Sequence, residues 1–183
     1  MQEPTDETLV RAASTGDDGA FSTLVTRYKR RVFGLAARFA KDSDELEDIC
    51  QEVFIKVYEN LRSYRGDAPF EHWLMRIAAH ACHDVLRKRH RESGNASYDT
   101  LVHGVADKAD AARHAASQAR ALLKWALSRL SANDQLVIIL LELEEYTVRE
   151  VASLTGWSEA NVKVRGHRAR QALKRILEEN DAQ

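Results

Sequence analysis

The chain has 183 residues, which is enough for one ordinary domain or two small ones, and we favour two small ones. Its 27 Lys and Arg side chains nearly balance 28 Asp and Glu side chains, so the net charge of the whole chain gives no support for nucleic-acid binding. With only two cysteines and no leader pattern at the N-terminus, the sequence argues against a disulfide scaffold and predicts a cytoplasmic protein. No apolar run is long enough to span a bilayer, so no direct membrane insertion is predicted.

The first half of the chain is dominated by helical periodicity. The run Asp17-Asp18-Gly19 is interpreted as the end of a short N-terminal helix. Apolar residues then recur at three and four positions from Phe21 to Phe39, which predicts an amphipathic helix. A second apolar stripe runs from Leu46 to Leu61, with Tyr58 in it.

The second of these helices carries acids on its other face. Acidic residues are concentrated at positions 42 to 52, and one apolar side chain, Ile55, lies on the same polar face of the predicted helix. Such a face suits a basic, partly apolar protein partner. The alternative is a solvated acidic stripe. The candidate docking residues are Asp48, Gln51, Glu52 and Ile55.

A polar loop at 63–68 leads to Pro69 and a third long helix, which ends in a basic cluster at 87–91. From Glu92 onward the sequence contains two glycines and has no sustained period, so we predict a linker. Helical character resumes near Ala109, and Ser131 is predicted to cap a helix that continues through Leu143.

Residues 147–165 have the spacing of a helix-turn-helix. Ala152 is small enough for two helices to cross closely, Gly156 stands at the left-handed turn position, Ser158 caps the second helix and Val162 returns to the core. Residues 158–177 carry six basic side chains against one acid, Glu159, which favours phosphate contact. A basic, solvated surface helix is the alternative, and the turn spacing argues against it.

The fold class that these patterns predict is all-α, with two small helical domains joined by a flexible linker. We place the first domain at 1–91, the linker at 92–114 and the second domain, with the helix-turn-helix, at 115–183. No internal repeat is visible.

Several ordered motifs resemble one family, the extracytoplasmic-function (ECF) sigma factors of bacterial RNA polymerase, in the sigma-70 superfamily. The resemblance covers nearly the whole chain. It is carried by the stretch from Ala20 to Tyr28, by Glu47-Asp48-Ile49-Cys50-Gln51-Glu52-Val53-Phe54, by Tyr64-Arg65-Gly66-Asp67 with the following Phe70-x-x-Trp73-Leu74-x-Arg76-Ile77-Ala78, and by Val162-Lys163-Val164-Arg165-x-His167-Arg168-Ala169-Arg170.

The resemblance implies that the first domain (sigma domain 2) binds the β′ clamp helices of core RNA polymerase and opens the −10 promoter element. A flipped base needs a shaped polar pocket with cations nearby. His80 stands where the family often has asparagine, and a half-buried helix histidine is the competing interpretation. For the basic cluster at 87–91, the competing interpretation is a helix end that is simply solvated. The implied −10 residues are Tyr64, Arg65, Gly66, Asp67, Arg76, His80, Arg87, Lys88 and Arg89.

The second domain (sigma domain 4) is implied to contact the polymerase β flap and to insert its basic helix into the major groove at the −35 element. Val164 departs from the family, which usually has a hydroxyl residue there, and Gly166 lies in mid-helix at a cost of about 1 kcal/mol relative to alanine. The implied −35 residues are Ser158, Asn161, Lys163, Val164, Arg165, His167 and Arg168.

Enzymatic chemistry is not predicted, because the sequence has no phosphate-binding glycine loop, nucleophile elbow or defensible carboxylate pair. His80, Cys82 and His83 are metal-capable types, but only the two histidines have useful helical spacing, so we predict no cofactor and no metal. The alternatives are a helix-turn-helix regulator that never joins polymerase and, less favoured, a metal- or redox-responsive module. The resemblance also implies an anti-sigma protein as a regulator.

Overall fold

The computed structural model describes residues 3–93 and 111–181, and the regular structure in these two ranges is helical. The first range contains a short 3-10 turn at Leu61–Ser63, and the second contains a π-helical turn at Ile139–Leu143. The α-helices are α1 (Asp6–Ser14), α2 (Asp18–Ala36), α3 (Ser43–Asn60), α4 (Phe70–Ser93), α5 (Ala111–Ser128), α6 (Ala132–Ile138), α7 (Val148–Thr155) and α8 (Glu159–Asp181).

The N-terminal helices begin at side-chain caps. Asp17 accepts a hydrogen bond from the backbone N–H of Ala20 and so starts α2, whereas α1 already ends at Ser14. The prediction that Asp17-Asp18-Gly19 ends the first helix is therefore wrong, because the carboxylate satisfies a free N–H at the start of the next helix. Asp42 caps α3 in the same way, through the N–H of Glu45.

Helices α1 to α4 pack around an apolar core, and we call these four helices domain 2. Val32, Val53 and Leu86 come from three different helices and are fully buried in it. Tyr58 was predicted in the buried stripe of α3, and this prediction is wrong: the side chain is 50% exposed. Its ring meets the edge of Phe21 at the surface, with the ring centroids 4.9 Å apart.

Helices α5 to α8 form domain 4. Ser131 caps α6, as predicted, by accepting from the N–H of Asp134. The predicted single helix through Leu143 is corrected in one respect, since α6 passes into a π-helical turn at Ile139. Thr147 and Glu150 then form a reciprocal capping box at the start of α7, which satisfies two backbone donors.

The two domains pack against each other. Helix α4 of domain 2 contacts both α6 and α7 of domain 4, in addition to α2 and α3 of its own domain. Most of the predicted linker, residues 94–110, lies outside the described residues. At its two ends α4 continues to Ser93 and α5 begins at Ala111, so regular helix enters the range predicted as linker.

Candidate protein and nucleic-acid interfaces

The acidic face of α3 is one continuous surface. Asp48, Gln51, Glu52 and Ile55 are all exposed, and at 3.6 residues per turn they occupy a sector of about 100°. Ile55 is 45% exposed although it is aliphatic, as predicted. An apolar side chain ringed by acids and an amide suits a partner surface that is basic and partly apolar.

Some acids of α3 have partners within domain 2. Glu45 accepts hydrogen bonds from Arg89 and from the backbone N–H of Lys41, so it fastens the start of α3 to α4. Lys56 lies between Glu52, at 3.2 Å, and Asp84, at 3.6 Å. The acidic run at 42–52 is thus divided between caps, internal ion pairs and an outward face.

The loop at 64–68 is stabilised by the side chain of Tyr64. The Tyr64 hydroxyl donates to the carbonyl of Ala68 at 2.7 Å, and its ring packs against Phe70 and Trp73. Gly66 adopts a φ of 78°, which side chains with a Cβ rarely take. Arg65, Gly66 and Asp67 remain exposed, so Tyr64 supports the loop while its neighbours face outward.

Helix α4 presents Arg76, His80, Arg87 and Lys88 at the surface. His80 is exposed, so the alternative of a half-buried histidine is wrong. Arg89 differs from the other predicted −10 residues, because its guanidinium pairs with Glu45 at 2.5 Å and donates to the carbonyl of Phe39 at 3.1 Å. Arg89 thus fastens α4 to the start of α3 and is only partly exposed, and a contact of its side chain with DNA stays a prediction.

The helix-turn-helix has the geometry that its spacing predicts. Gly156 ends α7 with a φ of 76°, Ser158 accepts from the N–H of Asn161, and Val162 is completely buried. Together the glycine turn, the serine cap and the buried valine fix the orientation of α8 relative to α7. They leave the polar side of α8 outside.

The outward side of α8 carries most of the predicted −35 residues, and Val164 among them is 48% exposed. Arg165 is the exception. Its guanidinium pairs with Asp134 at 3.2 Å and lies over the ring of Trp157 at 5.1 Å, so it holds α8 to the rest of domain 4, and its contact with DNA stays a prediction. The exposed members are Ser158, Asn161, Lys163, Val164, His167 and Arg168.

Comparison with known proteins identifies the family of the chain. The family model for sigma-70 region 2 matches residues 24–92, and that for sigma-70 region 4 matches residues 114–173. The chain belongs to the sigma-70 family. The similarity is to its ECF group, which confirms the resemblance that the motifs indicated.

Relatives of this ECF sigma factor match it over nearly its whole length. The RNA polymerase sigma-H factor of Pseudomonas aeruginosa is 28% identical, and the alignment covers 97% of this chain and 96% of the relative. The ECF RNA polymerase sigma-E factor of Escherichia coli K12 is 29% identical, with 94% of each covered. Among solved structures, CnrH in complex with the cytosolic domain of CnrY has a TM-score of 0.63 and 26% identity over 94% of this chain and 97% of that one.

Gly166 of this sigma factor has a packing role that sequence reasoning missed. A Cβ at this position would lie 2.9 Å from Cδ1 of Leu141 and 3.8 Å from Cγ1 of Val137. The glycine thus lets α8 approach α6 and the π-helical turn closely, at the expense of helix propensity.

The two cysteines of the sigma factor are buried thiols in the core of domain 2. Burial raises the pKa of Cys50 to about 11 and raises that of Cys82 as well, so both remain protonated near neutral pH. Within residues 3–93 and 111–181, no group of three metal-capable side chains comes together. The same ranges hold no helix that is both long and apolar enough to cross a bilayer.

Proposed function

We propose that this ECF sigma factor binds core RNA polymerase in the cytoplasm and directs initiation at specific promoters, with domain 2 opening the −10 element and domain 4 binding the −35 element. The observation that carries the proposal is the presence of both family regions on one chain, each with its own exposed polar surface. The family is not a class of enzymes, so catalysis belongs to the polymerase.

Polymerase binding is assigned to the acidic face of α3, with the β′ clamp helices as its partner. Asp48, Gln51 and Glu52 supply charge and hydrogen-bond acceptors around Ile55, which supplies apolar area. Complementary charge at the rim speeds encounter, while the central apolar side chain contributes to affinity. The β flap is the proposed polymerase contact of domain 4.

Promoter opening is assigned to the exposed loop and to the outer face of α4. Arg65, Gly66 and Asp67 offer backbone and side-chain polar groups to an unstacked base, and Arg76 and His80 lie on the adjoining helix. Arg87 and Lys88 follow about two turns beyond His80 and about three turns beyond Arg76 along α4, where they suit backbone phosphates.

Binding of the −35 element is assigned to α8 in the major groove. Ser158, Asn161 and Lys163 lie in its first turns, where a recognition helix contacts base edges. Arg168 suits the phosphates. Val164 replaces a hydroxyl with an exposed apolar side chain, which favours contact with a thymine methyl group.

An anti-sigma protein is proposed as the regulator of the chain. Support comes from two proteins of similar fold that were solved with a protein partner: CnrH with the cytosolic domain of CnrY, and the sigma factor RpoE of Bartonella quintana with the anti-sigma factor NepR. A helix-turn-helix regulator that acts without polymerase is the alternative function. Transcription from genomic DNA fragments with purified core polymerase separates the two, because only a sigma factor makes the polymerase start at defined sites.

Combining Gln51→Ala with Glu52→Lys is expected to abolish binding to core polymerase. The first substitution removes a hydrogen-bonding amide from the docking face, and the second exchanges an acid for a cation. The measurement is a pull-down of the polymerase core with the purified variant, and circular dichroism checks that the fold is kept. Gln171→Ala with Glu179→Lys makes the same chemical changes on exposed positions of α8 and should leave core binding intact. Unchanged affinity in the α3 variant contradicts the assignment.

A further inference from the structure

We propose that helix α1 positions the loop at 64–68 for base recognition, and that Asp6 and Tyr28 are the positioning residues. The inference deepens the function proposed above, because it concerns the loop that is assigned to promoter opening. The part that concerns DNA rests on that function. The link between α1 and the loop rests only on contacts within domain 2.

The outward part of the loop contributes little to its own position. Within the described part of the chain, neither Arg65 nor Asp67 makes a side-chain hydrogen bond or ion pair. A Cβ on Gly66 would meet no atom within 4 Å, so the middle of the loop lies in open space. The hydroxyl of Tyr64 closes the loop by donating to the carbonyl of Ala68 at 2.7 Å. The position of the exposed residues therefore depends on where Tyr64 is held.

The ring of Tyr64 belongs to an aromatic cluster, which we define as Tyr28, Tyr64, Phe70 and Trp73. The centroid of the Tyr64 ring lies 5.6 Å from that of Phe70 and 5.5 Å from that of Trp73. Phe70 is buried, and its centroid lies 5.6 Å from that of Tyr28 on α2. Aromatic rings at these distances prefer tilted and edge-on orientations. A shift of Tyr28 therefore changes the packing of Phe70 and, through it, that of Tyr64.

Tyr28 is itself fixed by the first residue of α1. Its hydroxyl donates to Oδ2 of Asp6, and the guanidinium of Arg27 donates to Oδ1 at 2.5 Å. Arg27 also donates to the carbonyl of Pro4 at 3.0 Å, just before the helix. Burial raises the pKa of Tyr28 and the bond to Asp6 raises it further, so the hydroxyl stays protonated near neutral pH. One carboxylate thus holds two consecutive side chains of α2.

A second contact ties the other end of α1 to the start of the loop. Nε of Arg62 donates to the carbonyl of Ser14, the last residue of α1, at 3.3 Å. Arg62 lies in the 3-10 turn just before Tyr64, whereas Phe70 begins α4 just after the loop. Helix α1 therefore contacts the segment before the loop directly and reaches the segment after it through Asp6 and the aromatic cluster.

A contribution to the stability of domain 2 alone is the competing explanation. Leu9, Val10 and Ala13 of α1 are buried in the core of the domain, so loosening α1 also lowers stability. The two explanations differ in one measurable quantity. Loss of folded protein lowers the affinity for every base by the same factor, whereas a misplaced loop lowers the preference for the correct base over the others.

The first measurement is base selection by the full chain bound to core polymerase. The probes are four single-stranded oligonucleotides that differ in one base of the −10 element, taken from a promoter that the transcription assay above identifies. Tyr28→Phe and Asp6→Ala should each lower the ratio of best to worst affinity by about three- to tenfold, the range expected for one lost hydrogen bond. Asp6→Asn retains an acceptor for the Tyr28 hydroxyl and should lie between Asp6→Ala and the wild type.

Asp17→Ala is the matched control. It removes the same charge as Asp6→Ala and destabilises the start of α2, but its carboxylate bonds to the N–H of Ala20 and lies outside the aromatic cluster. Its affinity ratio should equal that of the wild type, at a temperature at which circular dichroism shows all variants folded. The four oligonucleotides carry the same charge, so a general change in attraction to DNA cancels in the ratio.

Fluorine NMR of the free protein labelled with 5-fluorotryptophan is the second measurement. The chain has three tryptophans, of which Trp73 lies in the aromatic cluster and Trp125 and Trp157 belong to domain 4. The variant Trp73→Phe identifies the resonance of Trp73. Tyr28→Phe and Asp6→Ala should shift or broaden this resonance and leave the other two unchanged, whereas Asp17→Ala should change none of the three.

An affinity ratio that neither Tyr28→Phe nor Asp6→Ala changes would overturn the role of α1 in base selection. A ratio that falls while the Trp73 resonance stays in place would overturn the path through the aromatic cluster. Asp6→Asn behaving no better than Asp6→Ala would overturn the role of the hydrogen bond to Tyr28, and an equal fall in Asp17→Ala would assign the effect to stability.

Failure of the proposed function gives a different result. A wild-type protein that directs no specific transcript would refute that function and with it the role of α1 in base selection. The fluorine spectrum would then still decide the link between α1 and the loop, because it needs neither polymerase nor DNA.

Discussion

At the scale of single residues, cations of the same type have different roles in this protein. Arg89 and Arg165 hold helices together through Glu45 and Asp134, whereas Lys163 and Arg168 point outward. Both kinds stand in basic stretches of the sequence. A basic run in the sequence therefore contains both side chains that pair with carboxylates within the fold and side chains that face outward.

Lys163→Ala is expected to weaken promoter-dependent initiation and to reduce the salt dependence of DNA binding by about one counterion. The reason is that Lys163 is exposed on the outward side of α8. Binding of a −35 duplex titrated at several salt concentrations measures the slope. Lys174→Ala removes the same charge three turns further along α8 and should change the slope less; equal slopes for both variants would contradict a specific role for Lys163.

At the scale of helices, α8 is shaped by its contact with α6. A glycine in mid-helix weakens the isolated helix by about 1 kcal/mol, yet here it permits a backbone approach that a Cβ would oppose. The opposing atom is the end of the Leu141 side chain, which is only partly buried and has room to move. Helix propensity and packing therefore act in opposite directions at this one position.

Gly166→Ala is expected to change the free energy of unfolding by about 1 kcal/mol or less, because the gain in propensity offsets the shift of Leu141. Gly166→Val should destabilise the protein by about 1 to 3 kcal/mol, since its branches add volume against α6 and lower the propensity. Urea unfolding of both variants measures the difference. If valine is tolerated as well as alanine, α8 does not approach α6 this closely.

At the scale of the whole molecule, a titratable side chain lies between the two domains. Burial lowers the pKa of His83, while its hydrogen bond to Asn133 acts in the other direction. Arg87 and His80 lower the pKa further, and Asp84 raises it. The ring is thus held neutral where the two domains pack together, and there it both donates to Asn133 and packs on Trp157.

Acidification is expected to weaken the packing between the two domains. When the domains separate, His83 returns to water, where a histidine has a pKa of about 6.5, so its pKa is lower in the packed arrangement than in the separated one. The contribution of His83 to the domain contact is present above that pH and is lost as the pH falls through the lower value. Energy transfer between dyes at Ser22→Cys on α2 and Gln171→Cys on α8, both exposed positions, should decrease from neutral to mildly acidic pH.

The control for this prediction is His83→Gln, which retains a donor for Asn133 but does not titrate. Its transfer efficiency should vary less with pH than that of the wild type. An identical decrease in both proteins would assign the effect to other groups. A rise in efficiency on acidification would contradict the sign argued for His83.

Most helices, the caps at Ser131 and Ser158 and the helix-turn-helix could be predicted from the sequence because they depend on residues within about one turn of each other, whereas Asp17, which was predicted at the end of a helix, caps α2. Ser131, Gly156 and Ser158 have the roles that their spacing indicates. The outward face of α3 followed from the same periodicity, with Tyr58 as the residue that periodicity misplaced. The chain's membership of the sigma-70 family likewise followed from ordered local motifs.

Only the tertiary structure decided which side chains have partners far along the chain. His83 meets Asn133 across 50 positions and Arg38 meets Glu144 across 106, and no local pattern encodes either distance. The assignments of Arg89 to Glu45 and of Gly166 to a close helix contact were equally invisible in the sequence. A helix pattern specifies which face is polar, but what that face touches depends on how separate helices pack in space.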